Sequence, residues 1–376
     1  MKKLLIISKK WSQGRGRFTS IERFCEILDP DFHSYHGERA KVPPYISRFF
    51  KSQTNSRRTS KYSGPYNSHS FELELWGLKR ALRTKPDIVF FPYADYDFYY
   101  WRYFKKILKT KTVLWSFFSE NELRERFVDF THFAEADLVL VAGKSQLNWF
   151  KEHASSVNAV HFPIGVDTEF FVPSDSFDPM RVVHVGSNRR DFKTLIRAMD
   201  IVFDQFAQLK LDLIGTQSRS NEIPERGYIT IHPQLSDEEY LKVLQSANFS
   251  ILSLEDGGSS NSLLETSSCG LPLIVTALQN VRDYYNDSFS MQFEHNDYSA
   301  LAENCNKLLR QPPLRQSMAF SARQNALKYD WHALLKEFKI LINSCLLYTS
   351  DAADDLLCVD LGGRRIIKKK KKHIHN

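Results

Sequence analysis

The sequence contains no hydrophobic run long enough to cross a membrane. A membrane-spanning helix needs about 20 mostly apolar residues, and charged or polar residues interrupt every apolar stretch of this chain well before that length. The amino-terminal stretch MKKLLIISKKW has too short an apolar part for the core of a signal peptide, and it is typical of a first buried strand. We therefore expect neither a membrane span nor a secretory leader.

Cysteine is also scarce, with 5 residues at irregular spacing among 376. A small secreted protein held together by disulfides would carry cysteines more densely and at recognisable intervals. The pattern therefore indicates reduced thiols and a cytoplasmic protein. The hydrophobic content of 42% is ample for globular cores, and the length favours two domains over one.

The last 32 residues, CLLYTSDAADDLLCVDLGGRRIIKKKKKHIHN, break off from the helical pattern that precedes them. They resemble the translation of a sequencing adapter with an index and a poly-A run. We therefore expect the natural gene to be cut near Ser344 and residues 345–376 to be an artefactual, disordered tail; the alternative is a basic tail that binds acidic surfaces. Without the tail, 44 Lys and Arg face 40 Asp and Glu, and a net charge of +4 is too small to argue for nucleic acid.

Strand-like and helical stretches alternate along both halves of the chain. The strands include KLLIIS, PDIVFFP, KTVLWSF and ADLVLVAG, and later RVVHVGS, LKLDLIG, FSILSL and LPLIVT. A stretch rich in proline and glycine, HFPIGVDTEFFVPSDSFDP, reads as a linker between the halves. Strands separated by helices favour parallel, doubly wound sheets. We predict an α/β protein with two Rossmann-like domains, a first half over 1–162 and a second half over 163–344 that ends in closing helices.

The stretch DGGSSNSLLETSSCGLP, residues 256–272, predicts a phosphate-binding helix start. Small residues before the helix let a ligand approach the backbone, and the unpaired N–H groups and partial positive charge of a helix start suit phosphate. Glu265 would lie one turn inside that helix, near the ligand. In open parallel sheets such ligands bind beyond the carboxyl ends of the strands, so two facing sheets predict a cleft between domains.

The second half resembles the GT-B glycosyltransferases, most of all the large retaining family with an E-x7-E motif that includes many bacterial polysaccharide and lipopolysaccharide transferases. Four stretches carry the resemblance in order and spacing: FPIGVDTEFF, VVHVGSNRRDFKTLIRAM, LDLIG and HPQLSDEEYLKVLQSANFSILSLEDGGSSNSLLETSSCGLPLIVT. The resemblance as a whole covers roughly residues 162–340. The resemblance is weak in the first half, where such enzymes bind varied acceptors. It implies two Rossmann-like domains that face each other across a cleft.

This resemblance implies a role for Glu265 and for the loop before it. Glu265 matches the second glutamate of the motif, which accepts hydrogen bonds from the two ribose hydroxyls of the sugar nucleotide, as an ionised carboxylate can. The first glutamate should stand where this chain has Gly257, a departure that puts contacts with the donor sugar in question; Asp256 could substitute. The alternative is an ordinary loop and a surface glutamate. The residues expected against the distal phosphate and the transferred sugar are Gly258, Ser259, Ser260 and Asn261.

The stretch GSNRRDFK follows the first strand of the second half. Gly186 would allow a tight turn beside the diphosphate, and Arg189, Arg190 and Lys193 are the available cations. The resembling family uses a basic pair here to neutralise the leaving nucleoside diphosphate, and fixed cations lower the barrier to a step in which that charge grows. We favour Arg190 and Lys193 as the catalytic pair, with Arg189 as a donor contact; a solvated charge cluster is the alternative. Gly215, at the end of LDLIG, is expected to shape the base pocket.

The first half offers candidate acceptor contacts. SQGRGRF holds Gly14 and Gly16, a spacing as typical of an ordinary turn as of an acceptor-side glycine loop. Asp95 and Asp97 form a D-x-D pair that could hold a metal, but we favour an aromatic-rich loop at the cleft, because the resemblance to GT-B enzymes implies no metal site. A further set of polar residues could orient the acceptor hydroxyl: Ser119, Glu120, Asp129 and His132.

The first half is also basic and aromatic. Segment 47–62, which we predict to be loop or loosely helical, and the stretch YYWRYFKKILKTK mix positive charges with large rings. Such a surface could lie on an anionic membrane, where a lipid-linked acceptor would be found. A solvated basic face is an equal alternative. The basic residues of the segment are Arg48, Lys51, Arg57, Arg58 and Lys61.

We therefore predict a metal-independent glycosyltransferase that moves a sugar from a nucleotide-diphosphate sugar to a hydroxyl acceptor, in cell-surface polysaccharide or lipopolysaccharide synthesis. Its partners would be the donor, a glycan or lipid-linked glycan and the inner face of the plasma membrane, without nucleic acid; the donor is a substrate and no cofactor is expected. One alternative is a sugar-nucleotide-binding protein without turnover, because of Gly257. The other is a sugar-nucleotide epimerase, which would need more histidines and carboxylates than the second half offers beyond His184.

Overall fold

In the computed structural model each half of the chain forms a six-stranded parallel sheet. The structure describes residues 3–9, 17–18, 21–35, 42–55, 66–127, 130–257 and 259–347. Strands such as LLIIS, IVFF, LVLV and FSIL are buried along their whole length. Alternate residues of the first sheet enter two different hydrophobic clusters, one on each face. This burial follows from the topology, because the helices that connect parallel strands cover both faces of the sheet.

The first sheet has the strand order β2-β1-β3-β4-β5-β6. Its strands are β1 (Leu4–Ser8), β2 (Phe32–Tyr35), β3 (Ile88–Phe91), β4 (Lys111–Ser116), β5 (Leu138–Val141) and β6 (Ala159–His161). The helices of this half are α1 (Ile21–Leu28), α2 (Pro44–Asn55), α3 (Ser68–Thr84), α4 (Ala94–Asp97), α5 (Trp101–Leu108), α6 (Glu120–Arg126), α7 (Thr131–Ala134) and α8 (Lys144–His153).

The second sheet has the strand order β12-β11-β10-β7-β8-β9. Its strands are β7 (Arg181–Val185), β8 (Lys210–Ile214), β9 (Ile229–Ile231), β10 (Phe249–Leu252), β11 (Leu273–Thr276) and β12 (Ser290–Phe293). The helices are α9 (Phe192–Gln205), α10 (Asp237–Ser246), α11 (Asn261–Ser268), α12 (Tyr298–Arg310), α13 (Pro312–Ala326) and α14 (Trp331–Leu347).

The order of the second sheet reverses at β7, and this reversal positions the site. β7 pairs with β8 on one side and with β10 on the other, so that Val183 lies opposite Asp212 and opposite Ser250. The connections that leave β7 and β10 therefore run in opposite directions. A crevice opens between them at the carboxyl ends of the strands, which is where doubly wound sheets bind ligands.

The last helix, α14, follows the second half in sequence but packs against the first. Trp331 and Phe338 both contact Phe24 of α1, with ring centroids 5.1 and 5.2 Å apart, and Phe338 also contacts Phe162. A backbone bridge pairs Val166 of the linker with Asp330 just before α14. The chain thus crosses between the halves twice, once at the linker and once before its last helix.

The two predicted doubly wound sheets are confirmed, and segment 47–62, predicted to be loop or loosely helical, is helical over its first part. Residues 47–55 belong to the helix α2, and residues 56–65 lie outside the described residues. Ile46 and Phe50 of α2 pack against a buried cluster that contains Phe71 and Tyr99. This tertiary contact stabilises the helix, because burial of one face supplies most helical stability in proteins.

Three further expectations concern membranes, thiols and the tail. Among the described residues, no helix combines the length and the apolar character that crossing a bilayer requires. Cys25, Cys269 and Cys305 are buried free thiols. The backbone of α14 runs to Leu347, and residues 348–376 lie outside the described part of the chain. The artefactual origin of 345–376 therefore stays a prediction.

Candidate active site

A cavity of about 770 Å³ lies between the two halves, at the carboxyl ends of β7, β8 and β10. The loops that follow these three strands line it from the second half. Aromatic side chains line it from the first half, namely Tyr93, Tyr96, Phe117 and Phe118. Its size falls in the range of about 300–1,000 Å³ that is usual for small-molecule sites.

Two glycines shape the floor of this cavity. Gly186 and Gly215 follow β7 and β8 with φ angles of +93° and +70°, which other residues adopt only with strain. A Cβ atom at Gly186 would lie 2.9 Å from Nη2 of Arg190. Glycine at this position therefore allows the turn and leaves room for the arginine, in agreement with the tight turn that the sequence predicts.

Arg190 is fixed at the edge of the cavity by three hydrogen bonds. Its Nε donates to the carbonyl of Val185 at 3.1 Å, its Nη1 to the carbonyl of Asn188 at 3.1 Å and its Nη2 to Oγ of Ser262 at 3.2 Å. Burial lowers the pKa of Arg190 to about 10, so the guanidinium still carries its charge at neutral pH. The structure thus holds a cation next to the start of α11, where Ser262 lies.

The structure does not place Lys193 at this cavity. This corrects the prediction that Arg190 and Lys193 form a catalytic pair. Phe192, Leu195 and Ile196 form the buried face of α9, and the helical period places Lys193 on the exposed side. Arg189 does line the cavity. Its Nη2 contacts Oε2 of Glu125 at 3.0 Å, so this arginine forms an ion pair with α6 of the first half.

The start of α11 faces the cavity as predicted. Ser259, Ser260 and Asn261 line it, and α11 begins at Asn261. The Ser260 side chain does not cap the helix; its Oγ lies 2.9 Å from Oγ of Ser262, which also accepts from Arg190. The first N–H groups of a helix have no i−4 partner within it; that of Leu263 donates to the carbonyl of Ser260 at 3.2 Å, which leaves those of Asn261 and Ser262 as the candidates for a ligand. Gly258 lies outside the described residues.

Glu265 lies one turn further along α11 and lines the same cavity while only 5% exposed. The hydroxyl of Tyr240, on α10, donates to its Oε2 at 2.7 Å. This hydrogen bond fixes the orientation of the carboxylate. Sequence reasoning missed Tyr240, because nothing in the stretch SDEEYLKVLQSA separates a cavity residue from a core residue on the same helix.

Asp256, rather than Glu255, is the carboxylate that reaches the cavity beside Gly257. Its Oδ2 accepts from Oγ of Ser119 at 2.8 Å, and its Oδ1 accepts from Nδ2 of Asn280 at 3.2 Å. Asp256 is 8% exposed and lines the cavity. Glu255 is exposed and lies 3.5 Å from Nη2 of Arg219. The chain thus has an acidic side chain, Asp256, next to Gly257, the position at which the E-x7-E motif has its first glutamate.

Asp95 and Asp97 both bind groups of the first half itself. Asp95 is buried and accepts from Oγ of Ser116 at 2.6 Å and from the N–H groups of Phe117 and Phe118 at 2.6 and 3.3 Å. Burial raises the pKa of Asp95 to about 6. Asp97 contacts Nζ of Lys9 at 2.8 Å. These contacts favour a structural role for the pair, and Tyr93 and Tyr96 beside them form the aromatic wall that the sequence predicts.

Of the candidate acceptor residues, the structure brings Ser119 alone into direct contact with a predicted donor-site residue, Asp256. His132 is buried in an aromatic cluster with Phe127 and Phe133 and is not among the described residues that line the cavity. Glu120, at the start of α6, does not line it either. The remaining predicted positions lie outside the described residues: Gly14, Gly16 and Asp129.

A second residue that sequence reasoning missed is Arg219, which supports the loop after β7. Its Nη1 donates to the carbonyls of Ser187 and Arg190 at 3.1 and 2.7 Å, and its guanidinium lies 5.0 Å from the ring centroid of Phe192. Arg219 thus stiffens the segment that carries Arg189 and Arg190. Arg219 lies 29 residues away from Arg190 in sequence, and no local sequence pattern predicts this contact.

Comparison with known proteins gives the following similarities. Residues 178–325 match the family model for glycosyl transferases group 1. The chain is similar to sucrose-phosphate synthase from Thermosynechococcus elongatus, with a TM-score of 0.65 and 12% identity over 91% of this chain and 99% of that one. It is also similar to HepE from Anabaena in complex with UDP-glucose, with a TM-score of 0.66 and 12% identity over 92% and 100%. A glycosyltransferase from Rickettsia africae gives a TM-score of 0.63 and 12% identity over 93% and 100%. No curated protein sequence matches the chain at a significant level.

Proposed function

We propose that this chain, whose residues 178–325 match the family model for glycosyl transferases group 1 and whose fold is similar to those of GT-B enzymes, transfers a sugar from a nucleoside-diphosphate sugar to a hydroxyl group of a glycan. The observation that carries the proposal is the shared cavity of Arg190, the start of α11, Asp256 and Glu265. A cation and helix N–H groups suit a diphosphate. A carboxylate suits a pair of ribose hydroxyls.

In this proposal the bond between the anomeric carbon and the β-phosphate oxygen breaks, the oxygen of the acceptor hydroxyl bonds to that carbon, and the hydroxyl proton passes to the leaving diphosphate. Negative charge on the leaving diphosphate grows as that bond breaks. Arg190, already hydrogen-bonded in place, and the N–H groups at the start of α11 would stabilise this charge without reorganising. These groups do the work that a divalent cation does elsewhere, so we propose a metal-independent reaction.

The acceptor would bind against the first half. Four aromatic rings line that wall, those of Tyr93, Tyr96, Phe117 and Phe118. Flat apolar rings with a few polar groups among them are the usual lining of small-molecule pockets, and they fit the C–H faces of a sugar ring. A structural neighbour, a variant of TarM from S. aureus, is known in complex with α-GlcNAc-glycerol and UDP, and we propose a glycan acceptor for this chain as well.

The test of this function is release of nucleoside diphosphate from a panel of nucleotide sugars, with and without glycan acceptors. We expect Arg190→Ala to lower the turnover rate by roughly 10²–10³-fold, the usual effect of removing one group that stabilises transition-state charge. Arg226→Ala is the matched control, because Arg226 is an arginine outside the cavity that pairs with Asp200. Equal turnover by both variants would rule out the role of Arg190.

Gly257 favours a second candidate, a protein that binds the sugar nucleotide without turnover. In that case the wild-type protein would bind nucleoside diphosphate, and this binding would depend on Glu265. It would not release nucleoside diphosphate from any nucleotide sugar. The epimerase alternative loses support, because the ring of His184 is buried against Phe192 and His184 is not among the described residues that line the cavity.

We further propose that the first half rests on an anionic membrane through the exposed faces of α2 and α5. Tyr45 and Phe49 on α2 and Tyr103 and Ile107 on α5 are exposed by 72%, 58%, 48% and 72%. Neither helix contains Asp or Glu. The hydroxyl of Tyr100 donates to the carbonyl of Phe50 at 2.9 Å, which places the two helices side by side. Apolar rings beside basic residues are typical of surfaces that lie on anionic lipid.

Sedimentation with lipid vesicles tests this surface. The wild type should sediment with vesicles that contain phosphatidylglycerol and not with pure phosphatidylcholine. The double variant Phe49→Ser with Ile107→Ser should lose most of this binding, whereas Phe320→Ser, at another exposed phenylalanine on α13, should retain it. Equal sedimentation of both variants would contradict the proposal.

A further inference from the structure

We propose that Ser119, from the first half, is a positioning residue that holds the Asp256 carboxylate of the second half in its reactive orientation. This inference rests on the proposed function, because it assigns Asp256 to the donor-sugar end of the cavity. The contact is a hydrogen bond of 2.8 Å from the Ser119 hydroxyl to Oδ2 of Asp256, between residues 137 apart in sequence. Both side chains are buried, with exposures of 1% and 8%.

The Asp256 carboxylate has hydrogen-bond donors on both of its oxygens. Ser119 serves Oδ2, while Nδ2 of Asn280 and the N–H group of Gly257 serve Oδ1 at 3.2 and 2.8 Å. The Oδ1 donors belong to the same half as Asp256, whereas the Oδ2 donor does not. The first half therefore supplies the hydrogen bond that holds Oδ2 and completes the restraint on the carboxylate.

Ser119 is itself held rigidly by the first half. Its Oγ accepts from the N–H group of Glu122 at 3.1 Å and so caps α6. The segment just before it is bracketed by Asp95, which accepts from Ser116, Phe117 and Phe118. The buried Asp95 therefore fixes the end of β4 and the residues that lead from it to Ser119.

A second contact between the halves lies beside the first. Arg189 pairs with Glu125 at 3.0 Å and lies 4.0 Å from Oε1 of Glu122, both on α6. The helix α6 thus contacts the loop that carries Arg190. Its N-cap residue, Ser119, contacts Asp256. Because both contacts need the two halves together, the donor site is completed only in that arrangement.

The inference predicts a specific kinetic split. Ser119→Ala should lower kcat by roughly 10- to 100-fold, as expected for loss of a hydrogen bond to a charged group. The dissociation constant for the nucleoside diphosphate alone should change less than about threefold, because Asp256 faces the sugar and not the nucleotide. Ser119→Thr keeps the hydroxyl and should restore most of the turnover.

Two variants separate positioning from helix capping. Ser119→Asp keeps a good N-cap residue but brings a second carboxylate to Asp256, so it should be as slow as Ser119→Ala. Asp297→Ala removes the N-cap of α12, whose side chain accepts from the N–H group of Ala300 at 2.8 Å far from the cavity. It should lower the melting temperature about as much as Ser119→Ala while leaving kcat unchanged.

A double-mutant cycle closes the test. In an Asp256→Ala background, Ser119→Ala should have little further effect on kcat, because the group that Ser119 positions is gone. Full additivity of the two losses, or wild-type kcat in a folded Ser119→Ala variant, would overturn the inference and leave the glycosyltransferase function intact. A wild type that releases no nucleoside diphosphate from any donor would instead contradict the proposed function.

Discussion

Replacement of Glu265 by alanine tests the donor site most directly. The Glu265 carboxylate is buried at the cavity wall and accepts from the Tyr240 hydroxyl at 2.7 Å, and we assign it to the ribose hydroxyls of the donor. Loss of a hydrogen-bonding partner that carries charge costs about 1–3 kcal/mol. We therefore expect the dissociation constant for the nucleoside diphosphate to rise roughly 5- to 150-fold.

Graded variants refine this expectation. Glu265→Gln should be milder than Glu265→Ala, because an amide oxygen still accepts from one hydroxyl. Tyr240→Phe should weaken binding of the diphosphate less than either change at Glu265. It removes the hydroxyl that orients the Glu265 carboxylate and leaves the carboxylate itself in place. Glu303→Ala, at an exposed glutamate on α12, is the matched control and should leave the affinity unchanged.

Calorimetric titration with the bare diphosphate is the assay, because it excludes any contribution from the transferred sugar. The melting temperature of Glu265→Ala should fall by no more than about 2–4 °C, the shift that a loss of roughly 1 kcal/mol produces in a protein of this size. Unchanged affinity in a folded Glu265→Ala variant would refute the assignment of this cavity to ribose and diphosphate. The reasoning that places the donor in the second half would fail with it.

Metal dependence, the tail and the titration of Asp95 give three further predictions. Turnover should survive an excess of chelator, because we propose that Arg190 and the start of α11 neutralise the diphosphate in place of a metal; loss of activity that Mg²⁺ or Mn²⁺ restores would reopen the role of Asp95 and Asp97. Truncation after Ser344 should leave the melting curve and donor affinity unchanged, since Phe338 and Ile342, the buried residues near the end of α14, remain; loss of folding would show that the tail belongs to the protein. The pKa of Asp95 is raised to about 6 from its ordinary 3.8, so the stability it contributes is complete below pH 3.8 and is lost as pH rises through 6. Relative to Asp95→Asn, the free energy of unfolding of the wild type should therefore fall by about 3 kcal/mol between pH 3.5 and 7, and a difference that does not depend on pH would contradict the shift.

Much of the site could be predicted from sequence because its parts are local. A glycine directly after a buried strand, a run of small residues before a short helix and a glutamate one turn inside it each depend on neighbours within a few positions. Gly186, Ser260 and Glu265 were predicted on those grounds, and all three line the same cavity. The alternation of strands and helices likewise fixes a parallel sheet, since each strand needs a crossover before it can pair with the next.

Tertiary structure alone decided which charged side chains meet. Arg190 and Lys193 looked equivalent in sequence, but the buried face of α9 turns Lys193 towards solvent while Arg190 is tied to Val185 and Ser262. The helix α2 forms where the sequence left loop and loose helix open, because it packs against a cluster assembled from other helices. Tyr240 reaches Glu265 from another helix, and Ser119 reaches Asp256 from the other half of the chain. Sequence patterns report the period of one element at a time, whereas these contacts depend on how separate elements are placed in space, and that placement is set by packing over the whole molecule.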